Sequence, residues 1–129
     1  MRAERGFTLL EVIIALVIAA LALGALLQSA VSGLAGVQAA TSYEEAIARA
    51  RSRLAALDGS PLATGDRQGD DGGGYHWHER ILQVAQAPAG AGTAMPALYA
   101  VSVAISWQSR GGSRSVQLDT ERTAAAGGR

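Results

Sequence analysis

The alternation of polar and apolar positions divides the chain into three stretches with different periods. From Phe7 to Leu27 only Thr8, Glu11 and Gly24 interrupt an apolar run. A helix rising ~1.5 Å per residue over these positions spans ~31 Å, the thickness of a bilayer hydrocarbon core. A lone span in lipid can pair its backbone only as a helix. Beyond Leu27 the apolar residues Val31, Leu34, Val37, Tyr43, Ile47, Ala50, Leu54 and Leu57 recur at mostly three- and four-residue steps. Gln38, Glu44, Glu45, Arg49, Arg51 and Arg53 lie between them. This pattern predicts that the helix continues with one apolar face. Asp58-Gly59-Ser60-Pro61 supplies a stop, so the expected helix is about 52 residues long. Gly24, Gly33 and Gly36 each weaken it by ~1 kcal/mol relative to Ala, which marks places for bending or local melting.

The period changes to two in the C-terminal half. Residues 62–74 are rich in Gly and Asp and read as a loop. Tyr75 to about Val84 is a strand candidate, and Pro88 to Pro96 reads as an Ala/Gly-rich connection. The clearest strand follows, where Tyr99, Val101, Val103, Ile105 and Trp107 alternate with Ala100, Ser102, Ala104, Ser106 and Gln108. Ser109-Arg110-Gly111-Gly112-Ser113 predicts a hairpin turn leading into Val116–Thr120. The expected fold class is α+β, a long N-terminal helix whose rear half is covered by a small antiparallel sheet. After about Thr123 the tail is expected to fray. The part beyond residue 62 is too short and Gly-rich for a large core, so it should lean on the helix or on partner subunits.

Charge adds direction to this picture. Arg2 and Arg5 precede the apolar run and the next basic residue is Arg49. The positive-inside bias therefore keeps the N-terminus cytoplasmic and sends the rest across the membrane. The chain carries 11 basic and 11 acidic residues, every basic one an Arg. This balance gives no overall attraction to nucleic acid or acidic membrane. With no Cys there is neither a disulfide framework nor a thiolate metal site. Glu11 stands out, because an acid near a span's centre costs ~2.5–3.5 kcal/mol on insertion scales, less toward an end. An ordinary signal anchor gives it no purpose. It calls for a cationic partner.

Gly6-Phe7-Thr8-Leu9-Leu10-Glu11-Val12 behind a short basic leader resembles the signal of the type IV pilins and type II secretion pseudopilins. The resemblance implies a leader of residues 1–6, cut between Gly6 and Phe7 by a membrane-embedded prepilin peptidase, with N-methylation of Phe7. It also implies a transmembrane helix over 7–30 and a periplasmic domain over 31–129, made of an amphipathic helix 31–58 and the sheet. Localisation would be a bacterial inner membrane, crossed once. Glu11, the fifth residue of the mature chain, would act in assembly. After cleavage the α-amino group of Phe7 lies four residues before Glu11, on the same helical face. Pairing Glu11 with the amine of a neighbouring subunit would neutralise both and fix the axial offset between subunits. Within the family the chain is most similar to the minor pseudopilins of the I type. That implies partners among J-, K- and H-type minor pseudopilins and the major pseudopilin, a place in a pseudopilus tip complex, and no enzymatic activity. Tyr43 and Ile47 are the candidate partner contacts.

Other chemistries compete for single features. Asp66, Asp70 and Asp71 offer hard oxygens for calcium, without the spacing of an EF-hand loop. His76 and His78 would share a strand face, a pattern commoner on ordinary strand surface than in metal sites. Arg49, Arg51 and Arg53, with Arg110 and Arg114 near Trp107, could follow a nucleic-acid backbone in a DNA-uptake pilin. Glu44 and Glu45 offset that cluster, and no nucleic acid is expected as a partner. No nucleophile, base and orienting acid group together as an enzyme would need.

Overall fold

The computed structural model describes residues 6–88 and 95–125. Residues 1–5 with Arg2 and Arg5, most of the Ala/Gly-rich connection (residues 89–94) and the tail beyond residue 125 lie outside the described residues. The chain divides into two compact units, Met1–Ala40 and Thr41–Arg129. One helix, α1 (Leu9–Ala56, 48 residues), runs through both.

Thr8 starts α1 as its N-cap. Its hydroxyl accepts a hydrogen bond from the Glu11 backbone N–H at 3.2 Å, and its carbonyl accepts one from Val12 N–H at 3.2 Å. The first satisfies a donor that the first turn cannot pair internally, and the second is the first intrahelical bond. The helix is unbroken at Gly24, Gly33 and Gly36, against the expectation of local melting there. The surrounding Ala and Leu are the strongest helix formers, and cooperative propagation on both sides outweighs three isolated glycines. The end comes where the stop signal lies. Leu57 and Asp58 N–H close three-residue turns on Leu54 and Ala55 carbonyls, and Gly59 takes φ +81° before Pro61.

Within Thr41–Arg129, four strands follow α1 as an antiparallel meander in the order β1-β2-β3-β4. They are β1 (Gly65–Gly72), β2 (Tyr75–Gln86), β3 (Pro96–Ser109) and β4 (Gly112–Ala125). The first corrects the expected loop over 62–74, of which only residues 62–64 and the Gly73–Gly74 turn lie outside strands. β1 has poor strand propensity, yet β2 offers it a full ladder, with Gly65 opposite Ile81 and Asp70 opposite His76. Gly69 is needed there, since a Cβ would come within 2.8 Å of the Trp77 indole. Gly72, Gly73 and Gly74 turn the chain with positive φ angles of 79°, 63° and 84°. β3 and β4 also run further than expected. Pro96, assigned to the connection, is the first residue of β3, where a missing N–H is tolerated. Ala124 and Ala125, expected to fray, pair with Ala97 and Pro96.

One face of the sheet holds the core. Tyr75 and Ile81 from β2, and Ala97, Tyr99, Val101, Val103, Ile105 and Trp107 from β3, pack with Ala46 and Ala50 of α1 and with Leu62. Val103 and Ile105 are fully buried. Alanines at the crossing let the helix approach large strand side chains closely, while Tyr43, Leu54 and Leu57 fill the margins.

Candidate processing and assembly site

Gly6, Phe7 and Thr8 precede the helix in non-helical backbone, and all three are exposed. Phe7 is 82% exposed, and nothing lies within 4 Å of where a Gly6 Cβ would be. The bond between Gly6 and Phe7 is therefore open to a peptidase on both sides. Glu11 falls at the third helical position, three residues after Thr8, the spacing of a capping box. Its carboxylate sits in the first turn, where unpaired N–H groups favour negative charge. This gives Glu11 a stabilising position in its own helix besides any intermolecular partner. The Thr-x-x-Glu spacing was readable from sequence but has no weight there until the helix start is fixed. The helix that follows is long and apolar enough to cross a membrane, and none of its most apolar stretch is buried within the chain.

Residues 1–27 match the family model of the prokaryotic N-terminal methylation motif. The match covers the leader, the Gly6–Phe7 junction, Glu11 and the apolar run together. It supports a type IV pilin-like protein with a methylated N-terminus and a single membrane-anchoring helix, a structural rather than catalytic class. No curated protein and no solved structure matches the chain.

The proposed contacts on the helix differ from each other. Tyr43 is half-buried, its ring edge-on to Trp107 at 5.0 Å between centroids, and its hydroxyl accepts a hydrogen bond from Arg114 at 3.3 Å. Ile47 is partly exposed and stands outside the packed cluster. The Arg cluster also separates. Arg49 donates to the Asp71 carboxylate at 2.9 Å, to the Asp71 carbonyl at 2.7 Å and to Glu45 at 2.7 Å. Arg53 Nε donates to Asp71 at 3.0 Å. The two guanidiniums also cover aromatic rings, Arg49 on Tyr75 at 4.5 Å and Arg53 on Trp77 at 4.1 Å. Arg51 points to solvent, and among the described residues it has no ion pair. Arg49 and Arg53 thus tie β1 to α1 and are engaged within the domain.

Asp71 is the centre of that tie, and sequence reasoning had no means to pair it, because its partners lie 18 and 22 residues away. Burial pushes its carboxyl up, but hydrogen bonds from Arg49 and Arg53 with their charges pull harder and hold it below the usual carboxylate range. The Arg49 hydrogen bond likewise lowers Glu45. The three aspartates considered for calcium do not converge. Asp66 contacts His78 and Arg80 on the opposite sheet face, with His78 the main cause of its lowered pKa. Asp70 accepts the Gly72 N–H at 2.7 Å. His76 and His78 do share that outer face, each beside an aspartate, with His76 Nδ1 3.9 Å from Asp70. Among the described residues no three His, Cys, Asp or Glu side chains gather as a metal site would need.

Proposed function

We propose that this chain is a minor pseudopilin of a type II secretion system, a structural subunit of a periplasmic pseudopilus tip complex that serves protein export. The observation that supports the pilin-like part of this reading is the joint occurrence of the methylation motif, the open Gly6–Phe7 bond and one acid, Glu11, in the apolar run. Prepilin peptidase cuts after Gly6 and Phe7 becomes the methylated N-terminus. Glu11 then pairs with the terminal amine of a neighbouring subunit, because both charges are costly alone in the inner membrane. The domain lies in the periplasm and meets J-, K- and H-type minor pseudopilins and the major pseudopilin, with Ile47 as an available helix contact.

The nearest alternative is a minor pilin of a type IV pilus or DNA-uptake system, which the shared motif accommodates equally. The engagement of Arg49 and Arg53 with Asp71 favours a domain that does not hold nucleic acid. N-terminal sequencing of the membrane-extracted chain tests the processing step, which should give Phe7, and Gly6→Trp should leave the precursor uncut. A start beyond residue 25 would sink the pilin-like reading. Loss of secretion with intact pili in a deletion strain supports the secretion assignment, and the reverse outcome supports the pilus.

A further inference from the structure

The two edges of the sheet differ in how they are finished. β1 is eight residues long and carries Asp66, Arg67, Asp70 and Asp71, three glycines, and a register shift between Asp70 and Gly72. Short length, charge and irregular register keep an edge from adding a foreign strand. β4, the other end of the sheet, is regular. It runs fourteen residues without Pro or Lys, in unbroken register with β3 from Ser109 opposite Gly112 to Pro96 opposite Ala125. At ~3.3 Å per residue that is ~46 Å of edge, along which every second residue turns its N–H and C=O away from β3.

Side chains beside this edge are also left half-covered. On β3 the inward positions Tyr99, Val101, Val103 and Ile105 are buried, whereas Val116, Leu118 and Thr120, facing the same way on β4, stay partly exposed. α1 flanks them. Arg114 donates to the Tyr43 hydroxyl toward one end of β4, and Arg122 donates to the Leu54 carbonyl at 3.1 Å toward the other. Tyr43, Ile47 and Leu54 fall on one stripe of the helix, at steps of four and seven residues. Ile47 therefore lies along the same seam, partly exposed and outside the packed core. The opposite side of β4 is polar and of one sign. Its outward positions from Ser113 to Thr123 include Asp119 and Glu121 but no base, and neither acid forms an ion pair among the described residues.

We infer that the β4 edge accepts an extended strand from a different pilin-like chain, which is added to the sheet beside β4. Backbone hydrogen bonds hold such a strand, and its alternate side chains decide which strand fits. Charge on β4 narrows the occupant. Two β4 edges paired antiparallel about mid-strand would gather Asp119 and Glu121 of both copies on one face, and like charges opposed across strands are unfavourable. The edge thus selects against a second copy and for a foreign subunit. The fitting strand carries apolar residues on the side that meets Val116, Leu118 and Ile47. On its other side it carries Lys or Arg to meet Asp119 and Glu121. This inference rests on the reading of the chain as one member of a heteromeric complex, and it gives that complex a contact of defined chemistry.

The test uses the full-length protein in membranes of cells that also make their other pilin-like subunits. A photoreactive benzoylphenylalanine at Gln117, exposed on β4, should crosslink to one other chain that carries an N-terminal methylation motif, identified by mass spectrometry. The same group at Gln68, exposed on β1, should give about tenfold less adduct. Asp119→Arg with Glu121→Arg, and separately Ile47→Asp, should each lower the Gln117 adduct about fivefold or more. Protease resistance checks that each variant is folded. In the extracted complex, alternate β4 amides should exchange with deuterium about tenfold more slowly than in the chain alone, which contact through side chains would not produce. Equal capture of the motif-bearing chain from Gln68, capture without amide protection, or an adduct indifferent to both variants overturns the inference and leaves the heteromeric reading standing. Adducts only to a second copy, or to no motif-bearing chain from either position, overturn both.

Discussion

Residues 9–40 and residues 41–125 solve the same problem, hiding apolar surface, in opposite ways. In the first region every apolar side chain of the helix is exposed, Leu16 at 69% and Leu34 at 68% among them. In the second, apolar side chains of helix and sheet cover each other, and Asp71 finds its cations inside the same unit. The first region leaves its apolar surface for a membrane to cover, the second covers its own. A substitution in one should therefore be read in the membrane, and in the other by melting.

The sharpest break of this contrast pairs Ile105→Asp with Leu16→Asp. Placing a carboxylate at fully buried Ile105 should unfold the domain outright, seen as lost protease resistance and lost strand signal in circular dichroism. Leu16→Asp should leave the domain intact and add ~2.5–3.5 kcal/mol to insertion, so that carbonate extraction releases the chain from membranes. If both variants failed by unfolding, the two regions would not be separable as described.

Glu11→Ala comes next. It should be inserted and cleaved as well as the parent, lose a favourable first-turn charge, and fall out of complexes with partner subunits. Full secretion activity with unchanged co-purification would refute its assembly role. Tyr43→Ala should follow, removing the Trp107 contact and the Arg114 hydrogen bond at a cost of about 2–3 kcal/mol. Ile47→Asp should change stability by only ~0.5 kcal/mol, which makes it the cleaner probe of partner binding.

Asp71→Asn falls between those two and should lower the melting temperature by roughly 5–10 °C. Its pH signature gives the mechanism. The folded pKa of Asp71 is depressed, so its stabilising contribution is complete above the unfolded value of about 3.9 and is lost as pH falls through the folded value. The parent should lose stability below about pH 4 more steeply than Asp71→Asn. Equal slopes would show that the Arg49–Asp71–Arg53 tie contributes little.

The sequence was most legible where one period dominates. The apolar run, the helix stop and the β3 alternation each needed only local pattern. β1 was invisible for the opposite reason. Gly65-Asp-Arg-Gln-Gly-Asp-Asp-Gly72 has no apolar alternation, and what holds it is a ladder to β2, Arg67 on the buried Glu79, and Asp71 under two arginines of α1. Those partners exist only once the fold does. The helix face was right in direction but not in detail. Periodicity picks out Ala50 but favours the larger Ile47 over Ala46, whereas the crossing is made by Ala46 and Ala50, whose value is their small size. At the N-terminus a motif carried the signal. The Gly6-Phe7-Thr8-Glu11 set was read by resemblance, while the Thr8 cap needed coordinates.

The placement of aromatic residues makes the two regions optically distinct. Trp77 lies under the Arg53 guanidinium and across Gly69, and Trp107 is wedged against Tyr43 and Tyr75. Both indoles and all three tyrosines of the chain thus belong to residues 41–125, and the span contributes only Phe7. Intrinsic emission is therefore a reporter of helix-on-sheet docking alone. Unpeeling β1 or lifting α1 would expose an indole and red-shift the spectrum, whereas insertion of residues 7–27 into lipid would pass without any fluorescence change. A tryptophan introduced at Leu16 would give the silent half a signal of its own.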